Sequence, residues 1–259
     1  MCRFCEPLDT PSHCGIMFMS VRERENMSRK KYYMILDTET TSNAKTVYDI
    51  AYTIIDRKGN IVEQANYLVK EIIEHPFLRG ILQRDKFSSR KYRETYAMRY
   101  ENEKKIVLPF LAIRQKLRKA VRTYNCPVVA YNAKFDFEAL TNMAHDLGKK
   151  YFFTKETEIW DLWNISLHIL CDSRNYVKFC DANEYHSEKG HRKSSAEIVY
   201  RYITHNLEFE EAHTALADTE IEATILTACL KRHKKLYTDY VGQAFRHPVW
   251  AARCRVIQG

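Results

Sequence analysis

Apolar residues form short runs near the start of the chain and recur at helical spacing further on. Three β-prone segments lie at residues 32–36, 47–56 and 60–69, and a turn that contains Gly59 joins the last two. We therefore expect three consecutive strands that pair at least partly antiparallel.

The middle of the chain has the spacing of an amphipathic helix. Between Ile106 and Tyr124, apolar residues recur every three or four positions, opposite a face rich in arginine and lysine. We expect residues 71–124 to be mostly helical. A buried strand at 126–130 and a helix from about Ala133 to Leu147 should follow.

The later part of the chain alternates between the two kinds of element. We expect a short strand at 158–161, a helix at 162–171, an irregular charged stretch at 172–192, and helices near 194–204 and 214–235. This order predicts an α/β or α+β sandwich around one central mixed sheet of about five strands, flanked by helices.

The chain divides into an extension at residues 1–30, one domain at 31–235 and a tail at 236–259. The extension contains alternative start positions at Met19 and Met27. Disorder of this extension is favoured over a zinc site, whose ligands would be Cys2, Cys5, His13 and Cys14. A second zinc site is also disfavoured, and it would use Cys171, Cys180, His186 and His191.

Composition and charge narrow the class of protein. The 259 residues are 45% hydrophobic and 29% charged, which is typical of globular proteins. The net charge of +8 favours a polyanionic partner such as nucleic acid. No apolar run reaches the length of about 18 residues that a membrane helix needs, and the N-terminus lacks a secretory pattern. Scattered cysteines favour a reduced, cytoplasmic setting.

Asp37 and Glu39 follow the first apolar run and are separated by one residue. In an extended segment their side chains project to the same side. Paired negative charge at the end of a buried strand is costly unless a cation neutralises it. The alternative is that both carboxylates are solvated at the strand end.

Two further acids lie on helix faces that are otherwise apolar. Asp136 is in register with Ala139 and Leu140, and Asp218 is in register with Ile221. The alternative for Asp136 is that it lies in the first turn of its helix only because a negative charge there interacts favourably with the helix dipole. His213 precedes Asp218 by five residues. At about 100° per residue this spacing would place the two on different sides of one helix, so we expect His213 in the loop before that helix.

Together these residues resemble the DEDDh family of 3′–5′ exonucleases, the group similar to the bacterial polymerase proofreading subunit. The match consists of D-x-E at Asp37, N-x-x-F-D ending at Asp136, and H-x-x-x-x-D from His213 to Asp218, in the family's order. The resemblance covers about residues 30–232. A looser similarity to small exonuclease-like proteins of bacteriophages and their hosts involves Asn175–Tyr202, which contains Ser187.

The resemblance implies a ribonuclease H-like fold and release of 5′-monophosphates from a 3′ end. Two Mg²⁺ or Mn²⁺ ions would be held by Asp37, Glu39, Asp136 and Asp218. His213 would take the proton from the attacking water. The residues expected to contact the terminal nucleotide are Thr38, Thr40, Asn132 and Phe135.

Single-stranded DNA is the favoured substrate. The alternatives are a 3′–5′ exoribonuclease similar to oligoribonuclease or ribonuclease T, and a non-catalytic accessory subunit that binds nucleic acid. The expected partner is nucleic acid with a free 3′ end, and further candidates are a DNA polymerase, a replication or repair complex, and a second copy of the chain. The expected setting is the cytoplasm of a bacterium or a phage-infected host. The basic aromatic run at residues 86–93 is either a surface for single strands or a solvated helix face.

Overall fold

The computed structural model describes residues 32–41, 46–75, 107–238 and 241–242. The strands in these ranges are β1 (Tyr32–Thr40), β2 (Val47–Asp56), β3 (Ile61–Val69), β4 (Val107–Leu108), β5 (Val128–Ala130) and β6 (Ile159–Asp161). They form one six-stranded sheet in the order β4-β3-β2-β1-β5-β6.

Strand directions define the class of fold. The pairs β1–β2 and β2–β3 are antiparallel, as the sequence predicts. The pairs β1–β5, β5–β6 and β3–β4 are parallel, so β2 alone runs opposite to the other strands of this sheet. The order β3-β2-β1-β5-β6 with β2 reversed is the ribonuclease H-like arrangement. The predicted α/β class is therefore confirmed, and the short β4 adds a sixth strand.

Helices cover both faces of the sheet. They are α1 (Lys70–Ile73), α2 (Phe110–Tyr124), α3 (Ala133–Asp146), α4 (Leu162–Ser166), α5 (Arg174–Ala182), α6 (Ala196–Thr204) and α7 (Ala215–Lys231), and a π-helical turn at Leu167–Cys171 continues α4. None of the helices within the described ranges combines the length and the apolar character required to cross a lipid bilayer.

The alternation of side chains along β1 creates two cores. Tyr33 and Ile35 pack with buried residues of α4, α5, α6 and α7. Met34 and Leu36 point to the opposite face and pack with buried residues of α1, α2 and α3. Because successive residues of a strand face opposite sides, Asp37 and Glu39 belong to the side that α7 covers.

The helix that the sequence predicts from Ile106 begins only at Phe110, so its first turn was wrongly predicted. Pro109 holds the N-cap position with φ −55° and ψ 139°, and a residue before proline is disfavoured in the helical region. The chain before Pro109 instead forms β4. Residues 76–106 lie outside the described ranges, so their predicted helicity and the basic run at 86–93 are untested.

The prediction of an irregular stretch at 172–192 was wrong, because it contains α5. The Ser173 hydroxyl caps this helix by accepting a hydrogen bond from the Tyr176 N–H, at 3.2 Å. Tyr176 and Cys180, four residues apart, bury one face of it. The predicted extension at 1–30 and most of the tail at 236–259 lie outside the described residues, and those domain boundaries stay predictions.

A hydroxyl pair and a close contact of the β2–β3 turn fix α7 against the sheet. The hydroxyl oxygens of Thr53 in β2 and Thr219 in α7 are 2.7 Å apart and buried. At the turn, Gly59 has a φ of +93°, and a Cβ there would lie 2.6 Å from the Thr227 hydroxyl oxygen. Only glycine fits this close approach at a positive φ. Both contacts hold α7 in place beside β1.

Candidate metal centre

Asp37 and Glu39 lie within β1 rather than after it. The strand continues to Thr40, and Glu39 is paired with Asp49 of β2 before the register shifts at Thr40. The expectation that the strand ends at Leu36 was therefore wrong. Because the backbone that bears both carboxylates is hydrogen-bonded to a neighbouring strand, their positions are fixed.

Asp218 brings a third carboxylate to the same place from the first turn of α7. One carboxylate oxygen from each of Asp37, Glu39 and Asp218 lies within 4.8 Å of the others. Asp218 is 9% exposed, and its Oδ1 is buried without a hydrogen-bond partner among the described residues. A buried carboxylate oxygen without a donor is costly. Together, the three carboxylates offer oxygen ligands of the kind that a hard divalent cation prefers.

Asp136 lies beside this group, at the start of α3. It is 3% exposed, in agreement with its predicted place on an apolar face. The Thr38 hydroxyl donates to Asp136 Oδ1 at 2.7 Å. The Thr38 side chain thus orients a carboxylate, and its predicted contact with the terminal nucleotide stays a prediction.

Burial raises the pKa of every carboxyl in this group. The pKa of Glu39 rises to about 9, with Asp218 as the strongest contributing neighbour. The pKa of Asp218 rises to about 8, with Glu211 as its strongest neighbour. The pKa of Asp136 rises to about 7, against the lowering effect of the Thr38 hydrogen bond. A bound divalent cation would favour the charged forms and release these protons.

His213 lies in the loop before α7, as predicted, and it is not among the ligands that converge. Its side chain is 68% exposed, with Nδ1 at 3.8 Å from Glu211 Oε2. The residue has a φ of +50°, a conformation that is uncommon for residues other than glycine. Thr214 next to it caps α7 by accepting from the Ala217 N–H, at 3.4 Å.

Glu222 and Asp49 are two of the buried acids that the sequence did not identify. Glu222 in α7 is 3% exposed, accepts a hydrogen bond from the Tyr131 N–H at 3.2 Å, and contributes to the raised pKa of Asp37. Asp49 in β2 is fully buried opposite Glu39. Each could have been detected as a single acid within an apolar pattern, next to Ile221 and Ile50 respectively.

The remaining predicted nucleotide contacts lie on β1 and at the start of α3. Thr40 follows the register shift and is half-buried. Asn132 holds the N-cap position of α3 with a φ of +59°, and its side chain makes no capping bond. Phe135 is exposed. Phe137 is the aromatic residue that fills the core, with its ring centroid 5.6 Å from that of Phe153.

The four residues of the disfavoured zinc site in the second half of the chain are not among the ligands that converge within the described ranges. Cys171 and Cys180 are free, buried thiols, and the His186 ring lies 3.1 Å from Asp181. Within the described ranges, the three-carboxylate group is the one place where three or more potential metal ligands converge. The alternative site in the extension lies outside these ranges.

Comparison with known proteins adds a likeness to solved exonuclease structures. No protein-family model and no curated protein matches the chain. A product-bound exonuclease I is 16% identical over 80% of this chain and 44% of its own, with a TM-score of 0.49. Escherichia coli exonuclease I in complex with a dT13 oligonucleotide is 18% identical over 78% of this chain and 41% of its own, with a TM-score of 0.48. The chain thus spans less than half the length of these structures.

Proposed function

We propose that the protein is a metal-dependent 3′–5′ exonuclease that removes nucleoside 5′-monophosphates from the free 3′ end of nucleic acid, with single-stranded DNA favoured. The observation that carries this proposal is the convergence of Asp37, Glu39 and Asp218 within 4.8 Å. The residues belong to two motifs that are far apart in the sequence. The remaining motif, N-x-x-F-D, contributes Asp136 beside them. The geometry therefore supports the resemblance to DEDDh exonucleases.

The residues divide into metal ligands and one proton acceptor. Asp37, Glu39 and Asp218 would bind one Mg²⁺ or Mn²⁺ ion, and Asp136 would contribute to a second. Such ions, when bound, supply an activated water and neutralise the departing 3′ oxygen. The unpartnered Oδ1 of Asp218 supports a cation there. The Thr38 hydrogen bond keeps Asp136 directed to its place.

His213 would accept the proton of the attacking water. Its exposed side chain stands in the loop that enters α7, five residues before Asp218. An imidazole is the side chain that most often serves as a general base near neutral pH. We propose that the ring turns toward the carboxylates when the strand binds.

The net charge of +8 supports a polyanionic substrate. A preference for single-stranded DNA over RNA stays a prediction. Association with a DNA polymerase or a second copy of the chain, and a cytoplasmic setting, stay predictions.

The test uses 5′-labelled and 3′-labelled single strands of DNA and RNA, with Mg²⁺ or Mn²⁺ and with EDTA. The expected result is a ladder that shortens the 5′-labelled strand from its 3′ end. Asp37→Asn should abolish it. Asp146→Asn, which changes an exposed acid at the end of α3, should leave it intact. Absence of metal-dependent degradation of every strand would overturn the proposal, and degradation of RNA alone would favour an exoribonuclease.

A further inference from the structure

A cavity of about 340 Å³ lies next to the turn formed by Tyr131 and Asn132. This volume is at the lower end of the range for small-ligand sites, about 300–1,000 Å³. It suits one nucleotide rather than a long segment of strand. The residues that matter for its chemistry are Tyr131, Asn132, Trp163, Arg192, Lys193 and Ser195.

Two aromatic rings at this cavity are held rigidly. The rings of Tyr131 and Trp163 are stacked, with centroids 6.5 Å apart and an interplanar angle of 25°. The Tyr131 hydroxyl donates to the Ser194 carbonyl at 2.5 Å, and Trp163 Nε1–H donates to the Ser194 hydroxyl at 2.9 Å. Fixed aromatic side chains are the usual partners for stacked bases of single strands.

The polar residues at the cavity suit an anionic ligand. The cavity is lined by the basic residues His191, Arg192 and Lys193, and no acidic residue of the described part of the chain lines it. Arg192 is oriented by Asp181 at 3.3 Å, whereas Lys193 is exposed. The side chains of Asn132 and Ser195 make no capping bond to the helices that follow them, so an amide and a hydroxyl are available to a ligand.

The Tyr131–Asn132 turn connects the cavity to the metal centre. Tyr131 directly follows β5, which pairs in parallel with β1, so the turn lies at the same end of the sheet as Asp37 and Glu39. The Tyr131 N–H donates at 3.2 Å to Glu222, one helical turn after Asp218 in α7. The side chains of the same turn line the cavity. Asn132 precedes Asp136 by one helical turn. When the 3′ end of a strand lies at the carboxylates, a neighbouring nucleotide of that strand can therefore reach this cavity.

We propose that the cavity binds one nucleotide of the substrate strand next to the cleaved bond. The base packs against Tyr131 and Trp163, and a phosphate is bound by Lys193 and Arg192. Stacking accepts every base, so we expect little base preference at this position. The inference rests on the proposed exonuclease function only because that function places the 3′ end of the strand at the carboxylates.

Photocrosslinking tests this placement without requiring cleavage. An oligo-dT strand carries 5-iodo-2′-deoxyuridine at each of its last positions in turn, and it is irradiated with the full-length protein in EDTA. The expected result is a crosslink to Tyr131 or Trp163 from one position near the 3′ end. Crosslinks confined to other peptides would overturn the proposal.

Binding of the same unmodified strand tests the cationic side. In EDTA, Lys193→Ala should lower the slope of log affinity against log salt by about 0.7, the value for one lost phosphate contact on a single strand. Lys189→Ala is the matched control, because it removes an exposed lysine of the same loop that does not line the cavity. Equal slopes for the two variants would contradict the proposal.

The two proposals fail in distinguishable ways. A crosslink at Tyr131 without any degradation would overturn the exonuclease proposal and support the cavity as a site for single strands. Normal degradation, with no crosslink at the cavity and no effect of Lys193→Ala, would overturn the cavity proposal alone.

Discussion

Thr38 donates a hydrogen bond of 2.7 Å to Asp136, and this bond joins β1 to the first turn of α3. The two residues belong to different motifs, so their bond sets the position of Asp136 relative to the carboxylates of β1. The hydroxyl also favours the charged form of Asp136, because it lowers the pKa that burial raises.

Thr38→Val should therefore weaken the binding of divalent metal ions and leave the fold intact. Loss of a hydrogen bond to a metal-binding carboxylate typically costs about 10–100-fold in metal affinity or activity. The measurement is the Mn²⁺ concentration that gives half-maximal degradation, with Thr38→Ser as the control that keeps the hydroxyl. Equal Mn²⁺ requirements for the valine and serine variants would contradict this role.

Stability of the metal-free protein should fall as pH rises. The pKa of Glu39 is raised from 4.5 to about 9, and that of Asp218 from 3.8 to about 8. Between these limits the folded state holds more protons than the unfolded state, so the free energy of unfolding decreases with pH. The melting temperature in EDTA should be lower at pH 8.5 than at pH 6 by this contribution.

Divalent ions should reverse that loss. A ligand that binds the native state alone stabilises it, and it competes with fewer protons at the higher pH. Mn²⁺ should therefore raise the melting temperature more at pH 8.5 than at pH 6, and Asp218→Asn should reduce the increase. A melting temperature that does not respond to Mn²⁺ at either pH would argue against the metal centre.

His213→Ala should lower kcat by about 10²–10⁴-fold, the usual contribution of a general base. Because the side chain is exposed, folding and metal-dependent stabilisation should be unchanged. The measurement is single-turnover degradation of single-stranded DNA. His205→Ala is the matched control, since His205 is also exposed and has a positive φ of 58°. Near-normal turnover of His213→Ala would exclude the proposed role.

Glu222 should affect the stability of the fold in two opposite ways. The hydrogen bond that it accepts should stabilise the protein, and ionisation of its buried carboxyl should destabilise it. Glu222→Ala leaves the Tyr131 N–H without its partner, which costs about 1–3 kcal/mol when the group is buried. Glu222→Gln keeps an acceptor oxygen for the Tyr131 N–H and avoids the cost of ionising a buried carboxyl, because burial and the nearby Asp136 and Asp218 raise the pKa of Glu222 well above its usual value. In urea unfolding at pH 8 with EDTA, the glutamine variant should be at least as stable as the wild type, and the alanine variant less stable. The reverse order would contradict this account of Glu222.

The sequence predicted the sheet better than the ends of its elements. β2 was predicted with its observed bounds, because its residues are almost all apolar and buried. β1 was predicted to end at Leu36, because polar residues follow, yet pairing with β2 carries the strand to Thr40. A hydrophobicity pattern along one segment contains no information about such a partner. The fold class was predictable because the order of strands and helices limits the topology.

The metal centre was predictable from motif order, whereas its surroundings were not. Asp37, Glu39 and Asp218 converge as the resemblance implies. Asp49 and Glu222 each interrupt an apolar segment, but the groups that they face belong to other elements. Register opposite Glu39 identifies Asp49, and the contact with Tyr131 identifies Glu222. Both relationships exist only after the chain has folded.

The central claim is that the carboxylates of β1 and α7 act together in removing nucleotides from a 3′ end. The most direct measurement is the nucleoside 5′-monophosphate released from single-stranded DNA by the wild type and by Asp218→Asn, with Mn²⁺ and with EDTA. The account predicts steady release by the wild type with Mn²⁺, and none with EDTA or with the variant. Release that persists in EDTA, or equal release by Asp218→Asn, would contradict it.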